Sequence, residues 1–209
     1  MATGVTRVFM YASAKAPLLD LFTAAKNGGV KHIVLLLSMS VEIDPDGLLG
    51  KMHSNEEAAI REAGFSYTFI RPRNFASNSR QFWAPSIQKT GKVWITYPNA
   101  QSAPVSEEDM AAVALVALTT DKLLNQAVEA ISHLRERDEN KSVELIVLTA
   151  EEWKAYMIQH MPAEFVDQLI IEVGGWKADL SVEEKTCGIN APNLACLFRR
   201  FFPPRRGRR

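Results

Sequence analysis

The stretch from Val30 to Asn78 constrains the fold more than any other. Ile33 to Leu37 is an uninterrupted apolar run, and Phe65 to Ile70 is rich in aromatic and β-branched residues. A strand covered on both faces needs polar residues on neither, so both runs read as buried strands. Between them lie a polar loop and a helical segment from His53 to Ala63. Ser54 followed by Glu57 fits a capping box, and Gly64 fits a helix stop, because glycine enters the left-handed region at little cost. Arg71-Pro72 is expected to break the second ladder, since proline has no amide hydrogen to donate. Strand, crossover helix and strand together require a parallel pair with a right-handed connection.

The flanking residues extend the same alternation. Thr6 to Tyr11 is a short strand candidate, followed by a small-residue loop from Ala12 to Ala16. Leu18, Leu21, Phe22 and Ala25 make a helical stripe that Gly28-Gly29 ends. Residues 6–70 therefore read strand, helix, strand, helix, strand, the order of a parallel α/β sheet. Further on, the patterns predict a helix over 75–87, a strand over 92–97, an apolar helix over 110–118, and short strands over 127–131 and 143–148. Thr149 and Glu152 form a capping box before a helix reaching Met161, and Pro162 opens another. The expected architecture is a parallel α/β sheet flanked by helices in residues 1–125. A small α+β lobe follows over 126–198, then a basic disordered tail over 199–209.

Charge and composition exclude several classes. The chain carries 24 basic and 24 acidic residues, a formal net charge of zero, so no global attraction to nucleic acid or membrane follows. The basic residues do crowd the C-terminus, at Arg199, Arg200, Arg205, Arg206, Arg208 and Arg209. Without interleaved aromatics or a fold, that cluster gives little support for nucleic-acid binding. Cys187 and Cys196 build no disulfide framework and fit a reducing compartment. No run approaches the roughly 18 apolar residues of a membrane span, and the N-terminus lacks the order of a signal peptide. A cytoplasmic location is expected. No His, Cys, Asp or Glu set has metal-ligand spacing. Asp44 and Asp46 are too few for a calcium loop.

Several segments, in order, carry a resemblance. They are Gly29-Val30-Lys31-His32-Ile33-Val34, then His53, Glu57, Ala63-Gly64-Phe65, Thr68-Phe69-Ile70-Arg71-Pro72, Asn74-Phe75 and Asn78. Ala103-Pro104-Val105-Ser106 and Asp109-Met110-Ala111-Ala112 complete the series. Their order and spacing over roughly residues 5–120 resemble the NmrA-like group of atypical short-chain dehydrogenase/reductases. Residues 148–153 and 161–165 resemble that group's small lobe more loosely. The resemblance implies a Rossmann domain binding NAD(P)H, with NADPH as the expected cofactor, and a small organic substrate held between the carboxyl edge of the sheet and the small lobe. It also implies reductases, some of them tailoring enzymes of secondary metabolism, alongside regulators that bind the nucleotide without turning it over. A non-redox isomerase or cyclase using the same pocket is a third reading.

Two departures from the family pattern matter. No glycine-rich strand-turn-helix for the pyrophosphate occurs in these 209 residues; Gly28-Gly29 follow a helix instead. The chain is therefore expected to begin at what would be the family's fourth strand. Thr6 to Tyr11 then becomes an open apolar edge, a site for aggregation or pairing; a truncated or mis-spliced product, a homodimer through that edge, and a remnant with a non-nucleotide role are the three readings of it. The family's Tyr-x-x-x-Lys pair is also replaced, with Leu49 at the tyrosine place and His53 at the lysine place.

The candidate catalytic residues are His53 and Ser38. A histidine titrates near neutrality and can donate to a ribose or substrate oxygen; the bland alternative is a surface histidine at a helix start. Ser38 and Met39 end the central strand, where ligands sit in such sheets. The other candidate cofactor contacts are Tyr11, Ala12 and Ser13 after the first strand. By resemblance Pro72, Asn74 and Phe75 line the nicotinamide pocket, although Phe75 could simply pack in a core. Arg71 is expected to pair with a carboxylate rather than a phosphate. Trp83, Trp94, Trp153 and Trp176 are expected to pack the core and lobe.

Overall fold

The computed structural model describes residues 4–11, 18–97, 104–130 and 144–175. In chain order the elements are β1 (Arg7–Tyr11), α1 (Leu18–Asn27), β2 (His32–Leu36), α2 (Ser40–Ile43) and α3 (Leu48–Glu62). Then come β3 (Ser66–Pro72), α4 (Ala76–Thr90), β4 (Lys92–Ile95), α5 (Glu107–Thr119), β5 (Gln126–Ala130), β6 (Glu144–Val147), α6 (Ala150–Met157) and α7 (Ala163–Gly175). They divide into two units. One contains Met1–Arg73 and Glu107–Ile131, the other Asn74–Ser106 and Ser132–Arg209.

The first unit is a four-stranded sheet in the order β1-β2-β3-β5, every neighbour parallel. Ile33 pairs with Tyr67 and Leu36 with Ile70, so the two apolar runs lie side by side and point the same way. Their side chains alternate between the faces of the sheet. One face carries Ile33, Leu35, Leu37 and Phe69, which close a core with Phe22 of α1, Ile60 of α3 and Phe65. Gly64, at φ +72°, turns the chain out of α3 as the sequence predicts. Helix α5 packs against β1, β2 and β3. Arg7 of β1 holds its C-terminal end, donating to the carbonyls of Ala117 (3.0 Å) and Thr120 (2.7 Å) and pairing with Asp121. A cation there satisfies carbonyls that the helix cannot and meets the negative end of its dipole.

Four expectations are corrected. Helix α3 begins at Leu48 with Gly47 as its N-cap, so Ser54 and Glu57 are interior residues and form no capping box. The Glu57 carboxylate is taken instead by arginines. Helix α2 occupies part of the loop before α3. Strand β3 runs through Arg71 to Pro72, whose register partner is Ala130. Proline lacks a donor but keeps its acceptor, and the Met39 amide donates to the Pro72 carbonyl at 3.0 Å. Strand β5, read from sequence as the start of the small lobe, is the fourth strand of this larger sheet.

The second unit pairs β4 with β6, also in parallel. Thr149 caps α6 as its sequence signature predicts, with the Glu152 amide donating to the threonine hydroxyl (3.2 Å) and the Thr149 amide to the Glu152 carboxylate (2.8 Å). Trp153, Met157 and Val166 are buried together there, joined by Phe82, Leu169 and Ile170. Trp94 stacks on Tyr156 with ring centres 5.4 Å apart. No helix among the described residues is long and apolar enough to cross a membrane. Trp176, Cys187, Cys196 and the basic tail lie outside the described residues.

His32 supplies a pH prediction. Its Nε2 lies 3.1 Å from the Thr68 hydroxyl, which donates its own hydrogen to the Leu123 carbonyl at 2.7 Å. Nε2 therefore carries the proton, and the buried Nδ1 has no hydrogen-bond partner in the structure. Burial lowers the pKa below the ordinary 6.5, the nearby Arg7 charge lowers it further, and Asp121 opposes both. A folded pKa below the unfolded one means that the unfolded chain binds more protons. Stability from this group is complete above pH 6.5 and is lost as pH falls through the folded pKa. Melting temperature is expected to fall from pH 7.5 to pH 5, and His32→Leu should flatten that slope. Equal slopes in the two proteins would refute the assignment.

Candidate functional site

The carboxyl ends of parallel strands are where such sheets collect ligands, because the loops diverge there. Tyr11, Leu36 and Ile70 are register partners across β1, β2 and β3, so the residues after them share one edge. The chain continues past β2 by staying against β3. The Leu37 amide donates to the Ile70 carbonyl (2.9 Å) and the Met39 amide to the Pro72 carbonyl (3.0 Å). Ser38 therefore lies half-buried at the edge between two anchored residues. Its hydroxyl is 2.8 Å from the Ser40 hydroxyl and accepts the Ser40 amide at 3.1 Å, which starts α2. Met39 and Pro72 are buried, and Tyr11 is 70% exposed.

Four of the sequence candidates are thus brought to one edge: Tyr11, Ser38, Met39 and Pro72. Ala12 and Ser13 lie outside the described residues. Asn74 and Phe75 belong to the second unit. There Phe75 is the N-cap of α4 and bridges Val105, with the Val105 amide donating to the Asn74 carbonyl at 2.8 Å. Asn74 also accepts the Asn78 side-chain amide at 2.9 Å. His53 is not at a helix start and not on the surface. It is buried in the second turn of α3, with Nδ1 3.3 Å from the Glu56 carboxylate. A carboxylate on one ring nitrogen orients the ring and selects its tautomer.

Sequence reading placed Arg71 against a carboxylate without finding how many it meets. Glu57 takes both sides of its guanidinium, Nε on Oε1 and Nη2 on Oε2, each at 2.8 Å. Glu42 of α2 takes Nη1, and Arg61 adds a 3.0 Å bond to Glu57. Arg71 is 9% exposed and Glu57 2%. This clamp ties β3, α3 and α2 together beneath the edge. The signal was present in the sequence: His53, Glu57 and Ile60 fall on one helical stripe, which puts a carboxylate on the buried face.

The donor set decides which part of a dinucleotide fits. Serine hydroxyls and an apolar floor of Met39 and Pro72 suit a nicotinamide ribose. A diphosphate needs free cations or a run of open amides. Arg71 is neutralised by two carboxylates, the Met39 amide is used by Pro72, and the sequence holds no glycine-rich turn. Among the described residues the edge offers serine hydroxyls and an apolar floor, and Arg71 is already neutralised by carboxylates.

Known structures share this arrangement of strands and helices. An Escherichia coli NADPH-dependent quinone oxidoreductase complexed with NADPH superposes with a TM-score of 0.67, at 18% identity, over 94% of this chain and 77% of that one. The fold is that of the Rossmann-like reductases. The Citrobacter sp. triphenylmethane reductase complexed with NADP(H) gives a TM-score of 0.62, at 19% identity, over 88% of this chain and 71% of that one. No protein-family model matches the chain. Among curated proteins, a (4-alkanoyl-5-oxo-2,5-dihydrofuran-3-yl)methyl phosphate reductase of Streptomyces griseus subsp. griseus is 42% identical over 97 residues, 46% of this chain and 34% of that protein. An NAD(P)H azoreductase of Xenophilus azovorans is 31% identical over 107 residues, 51% of this chain and 37% of that protein. The chain spans about a third of the length of these curated relatives.

Proposed function

We propose that this chain belongs to an NmrA-like NAD(P)H-dependent oxidoreductase that reduces a small organic acceptor with NADPH, as a tailoring step in secondary metabolism. The observation that carries the reading is the 42% identity over 97 residues to a reductase of a small furanone phosphate. Support also comes from the shared fold of NADPH-complexed reductases. Bound at the edge, the nicotinamide would supply the hydride, and the protein would supply position and exclude water. Ser38 is the proposed hydrogen-bond partner of a ribose or substrate oxygen. His53, oriented by Glu56, is the proposed acid-base group.

The test is a fluorescence titration of the purified chain with NADPH and, in parallel, with reduced nicotinamide mononucleotide. Both are expected to saturate. Their dissociation constants should agree within about tenfold, because an unbound adenylate contributes less than about 1.4 kcal/mol. Absence of saturable NADPH binding would remove the reductase reading. A much larger advantage for NADPH would mean that a phosphate site exists elsewhere. With turnover in hand, His53→Ala should slow it by about 100-fold; an unchanged rate retires that role. The neutralised Arg71 favours one second reading, a regulatory relative that binds nucleotide weakly, and saturable binding with no reduction of any acceptor would select it.

A further inference from the structure

Two non-glycine residues among the described ones have a positive φ, Asn125 at +57° and Tyr97 at +50°. In that region the β-carbon crowds the following carbonyl. The conformation costs free energy that glycine avoids and that asparagine can recover through local hydrogen bonds. Asn125 does recover it. Its amide donates to the Tyr67 carbonyl at 2.6 Å, and its side-chain oxygen accepts the Tyr67 amide at 3.1 Å. The phenol of a tyrosine lies too far from its own backbone to do the same. Tyr97 also precedes Pro98, and a residue before proline favours extended backbone. Two local rules are broken at one tyrosine.

The surrounding chain holds Tyr97 there. It follows Thr96 past the carboxyl end of β4, which is paired in parallel with β6. Val93, Ile95 and Thr96 are buried, and the Ile95 carbonyl accepts the Leu148 amide at 2.8 Å. Trp94 is fixed by its stack on Tyr156 of α6. The strand end is thus pinned up to the residue before Tyr97, while Tyr97 itself is half-buried. Strain that its neighbours over-determine collects where a side chain has to be aimed.

We propose that Tyr97 is a substrate-binding residue whose phenol donates a hydrogen bond to the carbonyl oxygen of the small organic acceptor. The proposal rests on the reductase reading and narrows the acceptor to a carbonyl compound. Chemistry selects that partner. A phenol is a donor at the end of a rigid ring with two side-chain torsions, so a fixed backbone fixes where the O–H can reach. A carbonyl oxygen accepts and cannot donate. It is also the atom on which negative charge grows when the carbonyl, or a carbon conjugated to it, is reduced, so a donor aimed at it favours reduction as well as binding. Packing alone gives no reason for a left-handed backbone before a proline.

The test pairs ligand binding with stability, on the purified chain without nucleotide. Acetophenone, a ketone inert toward thiols, is titrated by saturation-transfer NMR, with ethylbenzene as a similar shape lacking the oxygen. Tyr97→Phe should weaken acetophenone binding about tenfold, the effect of one hydrogen bond left unmade. It should leave ethylbenzene binding unchanged and the melting temperature within about 2 °C. Tyr97→Gly should bind acetophenone no better than Tyr97→Phe, yet melt no lower than the unchanged chain, because glycine adopts a positive φ freely. Four results overturn the proposal: no saturable acetophenone binding to the unchanged chain, equal acetophenone affinity in Tyr97→Phe, a parallel loss for ethylbenzene, or a Tyr97→Gly melting temperature lower by more than about 5 °C. The NADPH titration judges the reductase reading separately. NADPH binding beside acetophenone binding that ignores Tyr97 sinks this inference alone. Tyr97-dependent acetophenone binding in a chain that takes no NADPH sinks the reductase reading and leaves Tyr97 as a carbonyl-binding residue.

Discussion

Glu57→Ala is expected to lower the stability of the larger unit by about 3–5 kcal/mol, the loss typical of removing one partner from a buried ion pair. The Glu57 carboxylate receives both sides of the Arg71 fork and a third bond from Arg61. Its loss strands a guanidinium that is 9% exposed, with only the more exposed Glu42 left to it. The cost is the desolvation of an unpaired cation rather than the worth of one contact. A double replacement separates the two: Glu57→Leu with Arg71→Leu removes both charges, and should be more stable than either single change. Urea denaturation of the four proteins measures the cycle. A Glu57→Ala loss below about 1 kcal/mol, the range of exposed pairs, would show that the clamp is not closed in solution.

The clamp also shows how far the sequence could be read. Pattern alone recovered the central parallel pair, because Ile33 to Leu37 and Phe65 to Ile70 are apolar on both faces and only a covered sheet accepts that. It recovered Gly64 and the Thr149 cap, which are set by a few neighbouring residues. It failed where tertiary contacts overruled local rules. Ser54 and Glu57 have the spacing of a cap, yet Glu57 is claimed from β3 by Arg71, fourteen residues away, and the helix starts earlier. Pro72 has the character of a strand breaker, yet its carbonyl remains available and Met39 takes it. Strand β5 was separated from its sheet because its partner is β3, more than fifty residues earlier. At the site, the edge position of Ser38 and Met39 was legible from strand order. The burial of His53 was legible only through the stripe it shares with Glu57 and Ile60, and its contact with Glu56 emerges once the helix is laid on the sheet.

Gly50→Ala is expected to destabilise the chain, against the rule for its position. In a helix interior, alanine is favoured over glycine by about 1 kcal/mol, so local propensity alone predicts a gain. Here a β-carbon on Gly50 would lie 2.0 Å from the Asp44 carbonyl oxygen and 2.9 Å from the Pro45 α-carbon. Both are backbone atoms, so no side-chain rotation relieves the overlap. The turn between α2 and α3 must move, and overpacking of this kind costs about 1–3 kcal/mol or more, which exceeds the propensity gain. The displaced segment follows directly from Ser38 to Ser40 and carries Glu42, the outer partner of Arg71. NADPH affinity should therefore fall together with melting temperature. Thermal melts and the same fluorescence titration read both. A gain in stability would mean that the Asp44–Pro45 turn does not lie against α3, and the edge at Ser38 would then be held by the Leu37–Ile70 and Met39–Pro72 bonds without that turn.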